Sequence, residues 1–261
     1  FKKYGESGIE VSDWFPHIGS CIDDIAVIRS MWTTDDNHGA QVQFHSGRHM
    51  LDPPVPTIGA WVSYGLGTLN ENLPQFISMG PRFFDRGDGH YLGPAYEPFA
   101  VSGDPNSGDF QVPNIGLSDK RKLARMRERI GLRRSLDRLS RDADQYHRMR
   151  ALDEFETQAL DVLTGPAAKR AFDINRESTA TRDRYGRNRW GQQALLARRL
   201  VELGVDLVTT TFNGSLCGRV GNWDDHAVNH NVFEGLKHRC PFYDQAVAAL
   251  IEDLFDRGLD Q

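Results

Sequence analysis

The run Asn222-Trp223-Asp224-Asp225-His226 places a carboxylate and an imidazole two residues apart in a polar loop. Aspartate oxygen and histidine nitrogen both bind divalent cations at about 2.0–2.2 Å, and Asp224 and His226 are close enough in sequence to reach one ion. The competing reading makes Asp224 a cap for the following helix and leaves His226 solvated. A second polar cluster, Thr33-Thr34-Asp35-Asp36-Asn37-His38-Gly39, stands before a helical stretch. A helix start presents unpaired amide donors and the positive end of its dipole, so an anion is favoured there. His38 and the neighbouring carboxylates could also take a metal. Alternatively, Asp36 or Asn37 is a cap and His38 a first-turn residue.

Both clusters need elements to hold them. Ahead of the first, Val205-Asp206-Leu207-Val208-Thr209-Thr210-Thr211 reads as a buried strand, fed by a helix over 189–204 that closes at Gly204. Loops at the carboxyl ends of strands are where open α/β sheets bind ligands. Ahead of the second cluster, Ala26-Val27-Ile28-Arg29-Ser30-Met31 reads as a strand, itself preceded by a helix over 12–24. Helices are predicted over 39–47 and 57–66, and a strand over 73–79. Tyr243, Val247, Leu250, Ile251 and Leu254 recur on one side of a last helix stopped by Gly258. Residues 80–118, rich in Gly and Pro, read as a long irregular insertion. Residues 119–163 read as a charged helical hairpin. Its basic run, Lys120 to Arg134, is interleaved with acids and lacks an aromatic platform, which argues against a nucleic-acid partner.

Composition fits one sizeable unit. The 261 residues are 39% hydrophobic and carry a net charge of -5, which again disfavours nucleic acid. No run of about 18 apolar residues offers a membrane span. The three cysteines, Cys21, Cys217 and Cys240, make no disulfide framework. A Cys217–Cys240 bridge and free thiols are equally compatible. The chain starts at Phe1 and stops just beyond a helix, where an αβ alternation would place a strand. The expectation is an internal portion of one α/β domain, truncated at both ends.

Asp24-Ile25-Ala26-Val27-Ile28-Arg29-Ser30-Met31 with Asn37-His38 and Ser46-Gly47 resembles a bacterial domain-of-unknown-function family, numbered fifteen-oh-one. Arg184-Tyr185-Gly186-Arg187, Gly191-Gln192 and Leu195 to Glu202 match a second block of it. Trp223-Asp224-Asp225-His226 looks like its Trp-Asp-Thr-His element, with Asp225 at the Thr position. That family is similar to the alkaline phosphatase and sulfatase superfamily. The resemblance implies a central, mostly parallel sheet flanked by helices, with a divalent metal site at the strand ends. It implies a hydrolase of small phosphate or sulfate esters, often exported or periplasmic. Asp224 and His226 would be metal ligands, with zinc and manganese both suited. Asn37 and His38 would stand at the nucleophile or anion position. Asparagine is not a nucleophile, so the resemblance equally accommodates a non-catalytic exported binding or surface-associated protein.

Overall fold

The computed structural model describes residues 1–70, 73–80, 89–112, 115, 165–221, 223 and 231–260, with scattered helical positions between 121 and 135. The hairpin expected over 119–163 therefore lies largely outside the described residues. So do Asp224, Asp225 and His226.

The sheet at the centre has three parallel strands in the order β4-β3-β5. They are β3 (Phe76–Met79), β4 (Phe99–Val101) and β5 (Leu207–Thr210). Ile77 pairs with Phe99 on one side and with Val208 on the other. All four residues of β3 are buried, as expected for the middle strand of a parallel sheet covered by other elements. The molecule is thus α/β, with helices flanking a parallel sheet. Strand β4 lies within the 80–118 stretch. It is only three residues long, too short for an alternating pattern to show.

Two short antiparallel hairpins flank this core. One pairs β1 (Lys2–Tyr4) with β2 (Ile9–Val11); the other pairs β6 (Gly214–Leu216) with β7 (Arg219–Gly221). The early helices are α1 (Pro16–Ser20), α2 (Gly39–Ser46) and α3 (Ile58–Leu66). Helix α2 ends where predicted, because Gly47 takes the left-handed conformation at φ 71°. The helix expected over 12–24 is shorter: α1 is followed by a 3-10 turn at Ile22–Asp24.

The later helices are α4 (Pro166–Phe172), α5 (Thr179–Tyr185), α6 (Arg189–Glu202) and α7 (Val232–Asp256). Helix α6 packs on β5 and α7 packs on α6. Leu195, Leu196 and Leu200 of α6 are fully buried. Each such side chain stabilises the fold by roughly 1.5–3 kcal/mol relative to exposure. Asn188 starts α6 by accepting from Gly191 N. Gly191 is required there, since a Cβ would stand 2.0 Å from Tyr185 O. Asp244 of α7 reaches across to α1, accepting from His17 N at 2.9 Å and Ile18 N at 2.7 Å. These are the orphan amides of the α1 first turn, so one buried carboxylate both caps α1 and docks it.

One expected element does not form. Residues 26–31 are irregular and largely exposed, with Ile28 at 67% and the following Trp32 at 82%. A β-branched apolar run becomes a strand only beside another edge, and among the described residues no strand pairs with it. The sheet that carries the site is therefore built from later residues.

Candidate functional site

Strand β5 leaves the sheet at Thr210, and Thr211 N still donates to Met79 O at 3.1 Å. The chain then passes Phe212 and Asn213 into the β6–β7 hairpin and returns at Trp223. Trp223 is clamped to the β5 exit. Its Nε1 donates to Phe212 O at 2.7 Å. Its ring stacks on Trp190 at 5.5 Å and 22°, and meets Tyr243 edge-on at 5.6 Å. The Arg239 guanidinium lies 5.3 Å from the Trp223 ring centroid. Trp190 is fully buried in the first turn of α6, so Trp223 rests on the core.

This places the start of the Trp223-Asp224-Asp225-His226 run at the carboxyl edge of the parallel sheet. Asp224 and His226 themselves lie outside the described residues. The competing role proposed for Asp224 is filled by another residue. Helix α7 is capped by Asn231, whose Oδ1 accepts from Phe233 N at 2.9 Å and Glu234 N at 3.4 Å.

Buried polar atoms collect near the same edge. Among the described residues, Gln193 Oε1, Thr209 Oγ1 and Thr210 Oγ1 are buried without a hydrogen-bond partner. The Gln193 amide adjoins the end of β3, with its Nε2 3.4 Å from where a Gly80 Cβ would stand. A buried polar atom without a partner costs about 1–3 kcal/mol. No spacing rule marks Gln193 in the sequence.

The Asn37–His38 cluster is built differently from the anion site expected there. Asp35 folds its carboxylate under the turn: Oδ1 accepts from Asn37 N at 2.9 Å, and Oδ2 lies 3.3 Å from His49 Nε2. Gly39, the first residue of α2, leaves the room, since a Cβ would stand 1.9 Å from Asp35 Oδ2. A negative charge thus already sits beside the helix start. Asn37 is exposed, and its Oδ1 accepts from His38 N at 2.7 Å. His38 flanks the first turn of α2 and is half-buried. No helix-capping bond comes from either side chain. Thr33 and Thr34 both donate their hydroxyls to Gln43 Oε1, at 2.6 and 3.0 Å. A neutral amide oxygen is no general base, so neither hydroxyl is activated. Among the described residues, no hydrogen bond, ion pair or ring contact joins Asn37 to Trp223.

The family model described as a protein of unknown function, DUF1501, matches residues 1–261. The chain belongs to that family. No curated protein and no solved structure matches it. The family's second block has a clear structural basis here. Arg198 is fully buried and meets three acids: Glu177 at 2.9 Å, Glu202 at 2.5 Å and Asp253 at 2.9 Å. The contact to Asp253 is an ion pair outside hydrogen-bond geometry. Tyr185 OH donates to Asp253 at 2.9 Å, and Arg199 adds a second cation to Glu177 at 2.7 Å. Burial pushes the Glu177 carboxyl up, but hydrogen bonds from Arg198 and Arg199 outweigh it and hold it below its ordinary value. Burial likewise opposes, and Arg257 and Tyr185 overcome, the shift at Asp253. Burial and the bond to Asp253 push the Tyr185 phenol well up. The Tyr185, Arg198 and Arg199 part of this family block thus ties α5, α6 and α7 together behind the site.

All three cysteines are free thiols, with Cys21 and Cys240 buried and Cys217 exposed. Among the described residues, no helix is long and apolar enough to cross a membrane, and no group of three His, Cys, Asp or Glu is gathered for a metal.

Proposed function

We propose that the protein is a sulfatase- or phosphatase-like, metal-dependent hydrolase of small phosphate or sulfate esters, belonging to an exported protein. The observation supporting this reading is the Trp223 clamp, which fixes the residue just before Asp224 at the carboxyl edge of the sheet. One carboxylate and one imidazole fit two positions of a divalent-metal shell; the other ligands would come from elsewhere, including chain beyond these residues. Asp224 and His226 would hold the ion, and zinc or manganese suits their donors. When bound, the ion would polarise the ester oxygen and acidify a bound water. Asp225 would accept from the second imidazole nitrogen of His226 and fix its orientation. Asn37 and His38 would contact the substrate anion. The test is metal content of the folded protein after incubation with zinc or manganese, beside Asp224→Ala and His226→Ala. Near-stoichiometric metal in the wild type that falls in both variants supports the site. A folded wild type that takes up no metal overturns it.

A second reading keeps the fold and drops the chemistry: an exported binding or surface-associated protein. Two observations favour it. Asn37 supplies no nucleophile, and the Asp35 carboxylate occupies the turn where a substrate anion would dock. Turnover of any phosphate or sulfate ester that disappears in Asp224→Ala would reject this reading. Metal binding without turnover across a broad ester panel would favour it.

A further inference from the structure

A cleft of about 520 Å³ opens at the opposite, amino-terminal edge of the sheet. Asn70 and Leu73 line it ahead of β3, and Glu202 and Leu203 line it where α6 ends. Asn70 Nδ2 fastens this wall by donating to Leu203 O at 2.9 Å and Gly204 O at 3.2 Å. Its volume lies in the range of small-molecule sites. Four arginines face it, Arg170, Arg176, Arg199 and Arg257, together with Glu177 and Glu202.

The two carboxylates are already neutralised. Glu177 is held by Arg198 and Arg199, and Glu202 by Arg198 and Arg257. With buried Asp253 included, Arg198, Arg199 and Arg257 meet three carboxylates, and Arg170 and Arg176 add two further positive charges, beside the exposed carboxylate of Asp173 in the turn between them. The donors of Arg199 are committed to Glu177 and to the carbonyls of Arg170 and Ala171. Arg257 directs its Nε to Asp253 and its Nη1 to Glu202. Arg170 and Arg176 carry the excess. Among the described residues, neither guanidinium makes a hydrogen bond or an ion pair, and both residues are exposed at the mouth. Their backbones are nevertheless fixed: Arg199 bonds Arg170 O at 2.8 Å, and Asp173 caps the 3-10 turn Ile174–Arg176 through Asn175 N.

Guanidinium presents a planar fork of donors that matches phosphoryl and carboxylate oxygens. A phosphate monoester carries about 1.5–2 negative charges near neutral pH, so it gains more from two guanidiniums than a single carboxylate does. We propose that this cleft binds a phosphorylated small molecule, with Arg170 and Arg176 gripping its phosphoryl group. The site lies at the far end of the sheet from Trp223 and stands independently of the hydrolase reading.

Isothermal titration with phenyl phosphate near neutral pH tests this on the wild type, on Arg170→Ala/Arg176→Ala, and on Lys2→Ala/Arg29→Ala. The last variant removes the same charge from exposed positions outside the cleft. Saturable binding is expected in the wild type, at least ten-fold weaker in the cleft variant and unchanged in the control. Acetate should bind the wild type at least ten-fold more weakly than phenyl phosphate. No saturable binding, equal loss in both double variants, or no loss in the cleft variant overturns the site. Equal affinity for acetate overturns the phosphoryl assignment. Circular dichroism confirms folding, which the exposure of both arginines leads one to expect.

Discussion

Replacing Arg198 by methionine keeps most of the side-chain volume and removes one buried charge. Arg198 has no exposed surface and serves three carboxylates. Removing one partner from a buried ionic group costs about 3–5 kcal/mol, because charges remain without compensation. Here each acid keeps a second cation: Glu177 keeps Arg199 at 2.7 Å, Glu202 keeps Arg257 at 2.9 Å, and Asp253 keeps Arg257 at 2.8 Å. The loss should therefore fall at the lower end, about 3 kcal/mol. For a chain of this size that is a fall in Tm on the order of 6–12 °C. Urea unfolding followed by far-ultraviolet circular dichroism gives the free energy directly. Arg184 makes a useful contrast, since it pairs with Glu252 and Asp256 at 2.9 Å in partly exposed positions. Arg184→Ala should cost no more than about 1 kcal/mol. If Arg198→Met costs less than about 1 kcal/mol, or no more than Arg184→Ala, the network does not bind the helices as argued.

The same network sets an acid limit. Glu177 and Asp253 titrate below their ordinary values in the folded protein, so their contribution is full above the unfolded pKa and is lost as pH falls through the folded one. Urea midpoints should hold near pH 5 and decline below about pH 4, and a flat profile down to about pH 3 would contradict this. Thiol labelling should titrate Cys217 quickly in the native protein, with Cys21 and Cys240 reacting only in denaturant, since burial hides them and pushes both thiols up. Three fast thiols would refute the packing of α1 and α7. Gly191→Ala should destabilise by about 1–3 kcal/mol, because its Cβ meets the Tyr185 carbonyl rather than a movable side chain. Unfolding curves check this, and an unchanged midpoint would mean that the helix start is not tight.

The α6–β5 unit was legible because its signals are local. Apolar residues recur at helical spacing, Gly204 ends the helix, and a β-branched run follows. The same logic misread 26–31, where the run is also apolar but has no neighbouring strand edge among the described residues. Helices α4 and α5 span seven residues each, under two full turns, too short to display a stripe. In the candidate run, Asp224 and His226 stood out by residue type and spacing, and of that run the structure describes only Trp223. Gln193 and the Arg198 network left no comparable trace. Of the acids paired with Arg198, Glu202 follows four residues on in the same helix, but Glu177 lies 21 residues before it and Asp253 far beyond it, and only folding brings those two in. The carboxylate under Gly39 was hidden too, since nothing in Asp35-Asp36-Asn37 says which side chain turns inward.

The nearly parallel stack of Trp190 and Trp223 has an optical consequence. Two indoles 5.5 Å apart at 22° share their excited states, so the pair should give a near-ultraviolet dichroism signal that neither ring gives alone. One chromophore belongs to the buried core and the other is 44% exposed on the candidate loop. Any ligand or ion that shifts the loop would change their coupling, and a Trp223→Phe variant separates that change from the signal of the three remaining tryptophans. The protein thus carries its own spectroscopic probe one residue before Asp224, and occupancy of that loop can be followed without a label or a known substrate.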